Sequence, residues 1–553
     1  MSPRSLAILV VGSVLLRAPA AFAQADDEGP APEAETPPAA SLEQPPATSA
    51  PKPPAASEEQ RVEGSTPPIA PPTREAVPPT LVNPWFERPA FSVTAGTEAI
   101  WKLTVFGFAE ADTMWDSTRS FNDGLNNNVV AHVETQAGDN PRLQATIRNS
   151  RLGFRIEAPA FASIRSSGLL EFDLFGNQPG INSGGGSPGQ PSGPGATTES
   201  AYFNNAAFRV RHAYVKLETP IVDVLAGQSY HLLGWQNYFF GATCAFLGLP
   251  SALFNRTVQL RLSRTFASDA VSFDIAAAAV RPVQRDSALP EGEGGLRLAF
   301  KRWKGITTPG SGGTGALPAA IGVSGMVRQL KVDPFAPQPA PPVRLIGWAL
   351  AANILLPIIP VKDSTDRGNA LTITGEFVRG TADADQYTGM TAGATMPNAF
   401  PYPPGTQIAA NGTSVPSGAT GVQPLYGLPY TPNVDPGLVA FDPHGRLHTI
   451  NWQTFVVGIQ YYLPPTGRVF MSGNYSRGNS NNIASLYHPG AITQLWINPR
   501  AVFSSSSYID GNIFVDITPA ARLGLSYQRV TQHLADGTDA RNHRYEMTWL
   551  YFF

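Results

Sequence analysis

The sequence predicts an all-β chain: a transmembrane antiparallel β-barrel of about sixteen strands, with short periplasmic turns and long extracellular loops. Three observations predict it. Segments of roughly 9 to 13 residues alternate apolar and polar side chains, the period of a strand with one greasy and one wet face. The connections between them mostly alternate short and long, as they do when turns and loops lie on opposite sides of a membrane. The chain ends "RYEMTWLYFF", in which Tyr545, Met547, Trp549, Tyr551 and Phe553 share one parity while Glu546 and Thr548 take the other. Leu550 and Phe552 make the last turn apolar on both sides.

Residues 1–23 combine a basic Arg4, an apolar run from Leu6 to Leu16, and Ala21-Phe22-Ala23 as a small-residue cleavage site. This pattern reads as a signal peptide cleaved after Ala23. The run is well short of the roughly 20 residues a spanning helix needs. "WALAANILLPIIP", from Trp348 to Pro360, is also brief and broken by prolines. Residues 24–80 are Pro, Ala, Glu, Ser and Thr with almost no aliphatic clusters, so they cannot bury a core and read as a disordered periplasmic segment. Its ten acidic and three basic residues hold the acidity of a chain whose total charge is −3. Two readings of this segment stay open: a solvated spacer, and an arm reaching peptidoglycan. Residues 81–553 form the barrel.

Charged residues are only 15% of the chain, against about 25% in ordinary soluble proteins, while Gly 52 and Pro 53 are high. Many short strands with frequent turns give that balance. The single cysteine, Cys244, excludes an intramolecular disulfide framework and reads as a buried or loop-packed thiol.

Strands are expected to start near residues 102, 144, 164, 207, 222, 257, 270, 294, 320, 344, 369, 446, 468, 507, 521 and 541. Their alternation is plain in "SRLGFRIEAP", where Leu152, Phe154 and Ile156 oppose Arg151, Gly153, Arg155 and Glu157. In "TVQLRLSR", Val258, Leu260 and Leu262 oppose Gln259, Arg261 and Ser263. Short connections such as "APAFAS", "TPIV", "FASD", "LPPTG" and "TPAA" are the turns. The long loops run over residues 116–141, 177–206, 229–256, 380–445 and 477–503. Residues 304–319 are too long for a turn and break the pattern. Sustained helical periodicity is absent, and so is a fixed repeat of the kind a propeller needs. A soluble sandwich also alternates, but here one face repeatedly carries Arg, Glu and Asp.

In a barrel the two faces meet lipid and water, and a charge on the lipid face near the midplane costs roughly 2–4 kcal/mol. Charges must therefore share the inward parity. The basic residues so placed are Arg151, Arg155, Arg211, Arg261 and Arg297, and the acidic ones Glu110, Asp112, Glu171 and Asp173. Arg209 and Arg211 share parity with Val215 and Leu217, so a bulge or register break is required near His212. For each arginine two roles stay open: a pore-lining charge, or an ion pair with a carboxylate on the neighbouring strand. Tyr545, Trp549, Tyr551 and Phe553 are expected to face lipid.

The terminal Phe553 with aromatics at alternate positions before it resembles the C-terminal assembly signal of bacterial outer-membrane barrels. The first half resembles the porin superfamily, and within it the DcaP-like trimeric porins, on "AGTEAIWKLTVFGFAEADTMWD" (Ala95 to Asp116), "SRLGFRIEAP", "GLLEFDLFG" and "RVRHAYVKLETPIVDVLAGQSYHLLGW" (Arg209 to Trp235). These stretches cover less than half of the barrel. The resemblance implies an outer-membrane diffusion channel for small polar solutes or ions, with a weak anion preference that extends to dicarboxylates. It also implies a homotrimer, the barrel-assembly machinery as a folding partner, and surrounding lipid and lipopolysaccharide. In porins the third long loop folds inward to narrow the pore. Here that is residues 229–256, with Tyr230, His231, Trp235 and Tyr238 as its constriction side chains; the other reading is an exterior loop making subunit contacts. The Pro-rich segment departs from the group, which carries a helical coiled coil there, so trimerisation through that segment is not implied.

The eight histidines, His212, His231, His448 and His543 among them, lack HxxxH or CxxC companions, so no metal site and no cofactor are expected. No nucleophile motif, phosphate-binding Gly-rich loop or basic run points to an enzyme or to nucleic acid. The rival reading is a barrel serving as an envelope anchor or adhesin, with its long loops, above all 380–445, as the binding surface. A hydrolase embedded in the barrel is a further rival.

Overall fold

The computed structural model describes residues 91–96, 99–125, 128–176, 206–235, 239, 241–245, 249–307, 315–332, 341–361, 367–390, 406–408, 414–416, 434–435, 437–441, 446–486 and 502–553. Residues 1–80, which read as a signal peptide and a Pro-rich segment, lie outside them.

Sixteen strands form the barrel. They are β1 (Trp101–Asp116), β2 (Arg142–Thr146, resumed as Arg151–Glu157), β3 (Arg165–Asp173), β4 (Arg209–Glu218), β5 (Asp223–Tyr230), β6 (Arg256–Ala267), β7 (Val271–Val280) and β8 (Glu291–Thr307). The second half is β9 (Gly315–Val332), β10 (Val343–Ile359), β11 (Leu371–Thr381), β12 (Asn451–Tyr462), β13 (Val469–Asn479), β14 (Phe503–Asp516), β15 (Ala521–Leu534) and β16 (Asp539–Phe552). Each strand pairs antiparallel with the next, and β16 returns to β1 from Phe108↔Phe552 to Asp116↔Arg544, so the sheet closes on itself. Closure leaves no long row of unpaired backbone groups, which hydrocarbon would not tolerate. The last residue completes the seam: Gly107 N–H donates to the Phe553 carbonyl at 2.8 Å, and Phe553 N–H donates back at 3.1 Å. A short strand, Phe91–Ala95, continues the seam past the C-terminus by pairing with Trp101–Val105.

The two faces divide as the alternation requires. In β7, Ser272, Asp274, Ala276, Ala278 and Val280 are buried, while Val271, Phe273, Ile275, Ala277 and Ala279 face out. The outer wall exposes Leu260, Leu262, Ile321, Val323, Leu350, Ile459, Ile513 and Leu525, an apolar band suited to lipid. Trp549, Tyr551 and Phe553 lie on this face, 48%, 59% and 38% exposed. No helix among the described residues is long and apolar enough to cross a membrane.

Three details differ from the sequence reading. The second strand is broken by a turn at residues 147–150, because Asp112–Asp116 of β1 pairs with its first piece and Lys102–Phe108 with its second. Residues 304–307 and 315–319 are strand: β8 and β9 pair as far as Thr307↔Gly315. The register slips between Phe300 and Lys304, and those extra residues hide the alternation that would have revealed the extension. At the loop end, residues 281–290 and 535–538 are short connections, so long and short do not alternate strictly.

Candidate functional site

The bulge required near His212 is present: Glu171 pairs with His212, Phe172 with Val210, and Arg211 is the extra residue. It turns Arg211 and His212 both inward and buried. Arg211 Nε donates to Glu171 Oε1 at 2.7 Å, Nη1 to Asp173 Oδ2 at 2.8 Å and Nη2 to the Tyr230 hydroxyl at 2.9 Å. Arg209 forks onto the same Asp173 through Nε at 2.9 Å and Nη2 at 2.6 Å. The ring of His212 packs 4.7 Å from that of Tyr230.

The other inward charges fall into local groups. Arg297 pairs with Asp274 at 2.9 Å and lies over the Trp235 ring. Arg151 bonds Asn149 at 3.3 Å and covers the Phe108 ring. Arg155 lies 3.9 Å from Glu157. Arg261 Nε donates to Gln259 Oε1 at 2.9 Å, and its Nη2 donates to the Tyr230 carbonyl. Glu110 accepts from Asn149 at 2.8 Å. Asp112 is buried beside it on β1, and Glu546 of β16 accepts from Gln528 at 2.6 Å.

All nine candidate charges therefore lie on the inner face. Arg211 and Arg297 are ion-paired to neighbouring strands. Among the described residues Arg261 forms no ion pair, though the Glu293 carboxylate is near enough to act on its charge. Arg256, a residue that alternation points outward, likewise forms no ion pair and has Asp173 as its carboxylate neighbour. Its guanidinium lies 5.1 Å from the Phe254 ring and 5.4 Å from the Tyr230 ring, with Nη1 buried and unbonded. Sequence reading missed it because β6 begins at Arg256, where the chain has only just entered the alternating pattern.

The described residues between His231 and Asn255 fold inside the barrel. His231 Nδ1 meets Glu293 at 2.8 Å, and Leu232 N–H donates to the same carboxylate at 2.7 Å. Gly234 N–H then donates to Ser324 Oγ at 2.7 Å, and Trp235 Nε1 donates to the carbonyls of Leu296 and Val323 at 3.1 and 3.2 Å. Gly295 and Gly322 make room for that indole; a Cβ on either would stand 3.0 or 2.8 Å from its ring. Farther on, the Ala242 carbonyl accepts from Ser472 and Asn474 of β13. Thr243 Oγ1 donates to Asp510 of β14 at 2.5 Å, and Cys244 N–H to Asn512 at 3.1 Å. Leu253 N–H returns to Glu376 of β11 at 3.0 Å. A loop that leaves β5 and bonds β8, β9, β13, β14 and β11 before entering β6 crosses the interior. His231 and Trp235 are buried in it and Tyr230 is buried as the last residue of β5, whereas Tyr238 lies outside the described residues. Cys244 is a buried free thiol in the same loop.

Leu249 and Leu253 of this loop pack with Tyr387, Met390, Ile450, Trp452 and Phe503 in one apolar cluster. Asp383, just past β11, accepts from the Tyr387 hydroxyl at 2.8 Å, and burial pushes its carboxyl up to about 7. No group of three or more His, Cys, Asp or Glu among the described residues is placed to hold a metal ion.

No protein-family model and no curated protein matches this chain. Among solved structures it is similar to the outer membrane channel DcaP of Acinetobacter baumannii, at TM-score 0.51 and 14% identity, over 82% of this chain and 97% of that one. Looser similarity extends to an anion-selective porin from Comamonas acidovorans (TM-score 0.40, 9% identity, 82% of this chain, 100% of that one). OmpF of Salmonella typhi is comparable (TM-score 0.39, 10% identity, 81% and 98%). The chain has the transmembrane β-barrel fold of the outer membrane channel DcaP, a closed sixteen-stranded antiparallel sheet.

Proposed function

We propose that the protein is an outer-membrane porin, a passive channel for small polar solutes and ions, with residues 229–256 as its constriction and a weak preference for anions. The observation that carries the preference is charge imbalance around Tyr230. Arg209, Arg211 and Arg256 act on only two carboxylates, Glu171 and Asp173, and Arg256 and Arg261 form no ion pair among the described residues. An uncompensated guanidinium in a wet, narrow passage attracts anions, as rings of arginine do in anion-selective pores. Dicarboxylates would span two such charges.

A second reading has its own observation. Glu110, Asp112 and Glu546 form an acidic stretch on β1 and β16, all three buried. If this side dominates the passage, cations are favoured. A reversal potential under a salt gradient decides the sign. Homotrimer formation, a cleaved signal peptide, and contacts of the Pro-rich segment with peptidoglycan and of the terminal strand with the barrel-assembly machinery belong to the same proposal. The envelope-anchor reading fails if the folded protein conducts.

A further inference from the structure

After β11 the chain turns inward. At Ala382, directly past the last residue of the strand, the backbone takes φ 54°, a left-handed conformation that residues carrying a Cβ adopt rarely. The residues that follow are buried as far as Met390, except for Asp385 and Thr388, which are partly buried. Asp385 is latched to the inner wall: Arg328 of β9 donates to it through Nη1 at 2.7 Å and lies 3.4 Å from Glu291 of β8. Ala382 N–H donates to the Ile450 carbonyl at 2.8 Å, beside the start of β12.

Held there, residues 386–389 run antiparallel to the end of the loop that crosses the lumen. Phe254 N–H donates to the Gln386 carbonyl at 2.8 Å, Thr388 N–H to the Ala252 carbonyl at 3.1 Å, and Gly389 N–H to the Pro250 carbonyl at 2.8 Å. The Thr388 hydroxyl donates to the Leu249 carbonyl. Leu253 and Tyr387 stand directly opposite each other in this ribbon. Asn255 reaches Asp385 at 3.4 Å, so the latched carboxylate also meets the last residue before β6.

The two arms of the crossing loop are thus held by different means. The outward arm bonds the wall itself, through Glu293, Ser324, Asn474, Asp510 and Asn512. The return arm, Leu249 to Asn255, adds Leu253 N–H on Glu376 and is gripped along its length by residues 382–390. Phe254 links that grip to the charge of the passage, because its N–H is bonded to Gln386 and its ring lies 5.1 Å from the Arg256 guanidinium. We propose that residues 382–390 are a strap over the return arm, so that two loops together set the width of the passage and the position of Arg256, a role that rests on the channel function proposed above.

The test is single-channel recording of the full-length protein in planar bilayers under a salt gradient, with each variant first shown to be folded by its heat-dependent gel mobility. A Cβ on Gly389 would stand 3.0 Å from Pro250, so G389V wedges the strap away from the loop. Its conductance should rise about 1.5-fold or more, and its reversal potential should move toward cations as Arg256 loses its place. The second variant, L253C/Y387C in a C244S background, puts thiols on the directly opposed pair, where antiparallel strands bring Cα atoms within the ~4.4–6.8 Å a disulfide spans. Oxidised, it should conduct like wild type; reduced with dithiothreitol, it should show the larger, noisier current of G389V, reversibly. Folded G389V with the conductance and reversal potential of wild type would overturn the strap, and so would a cross-linked protein whose current ignores reduction. If G389V does not fold, the cross-link decides alone. Wild type without steps would defeat the channel reading and the strap with it, whereas wild-type steps preserved in both variants would defeat only the strap.

Discussion

Replacing Arg256 by Glu puts the proposed selectivity under the most direct strain. Its guanidinium is stacked on Phe254 and Tyr230 and forms no ion pair among the described residues, and the carboxylate that acts on it, Asp173, is already held by Arg209 and Arg211. An ion about 5 Å away in a water-like medium feels about 0.8 kcal/mol from one charge. Screening over a Debye length of about 10 Å in 0.1 M salt leaves about 0.5 kcal/mol. Reversing the sign changes two unit charges, so anions lose and cations gain about 1 kcal/mol each. The anion-to-cation permeability ratio should fall at least tenfold. The assay is the zero-current potential across a planar bilayer under a tenfold salt gradient, with R256Q expected to fall about halfway on a logarithmic scale. R297Q/D274N is the contrast, because removing both members of the 2.9 Å pair leaves the net charge unchanged and should move the potential less. A potential unchanged in R256E, with conductance intact, would refute the assignment of Arg256 to the ion path.

Other consequences follow from the same structure. Arg544 forks onto Asp116 at 2.9 and 2.8 Å, both side chains fully buried, so R544M should cost about 3–5 kcal/mol in urea unfolding from lipid vesicles. Trp235→Ala removes the side chain that pins the inner loop between Gly295 and Gly322, and single-channel conductance should rise or become noisy; an unchanged trace would mean the loop is held elsewhere. Leu525 is 49% exposed on the lipid face, so L525R should destabilise by about 2–4 kcal/mol. Asp383 has its folded value raised to about 7 by burial, above that of an unfolded aspartate. Its contribution to stability is therefore full below about pH 4 and is lost as pH rises through about 7. D383N should flatten that part of the stability-versus-pH curve, and an unaltered slope would place the titration elsewhere.

The barrel was legible because its alternation is chemical. Arg151, Arg155, Arg261 and Arg297 had to be inward if Leu152, Leu260 and Leu298 were outward, and the bulge at His212 followed from a conflict between Arg211 and Leu217. What failed to show was whatever breaks the period. The slip between Phe300 and Lys304 concealed the ends of β8 and β9. The turn at residues 147–150 divided what read as one strand. Arg256 sits where parity has not yet been established. Pairing was also closed to a one-dimensional reading: nothing local says that Asp116 meets Arg544, 428 residues away. Gly295 and Gly322 read as weak strand positions, and only the Trp235 indole against them gives the reason for a missing Cβ.

The most direct test of the channel itself is the current through planar bilayers containing the purified full-length protein, recorded under a salt gradient. The account predicts stepwise conductance with a reversal potential on the anion side. Steps with a cation-side potential would move the passage to Glu110, Asp112 and Glu546. A protein shown to be folded that yields no steps would contradict the pore and leave the barrel as an envelope anchor.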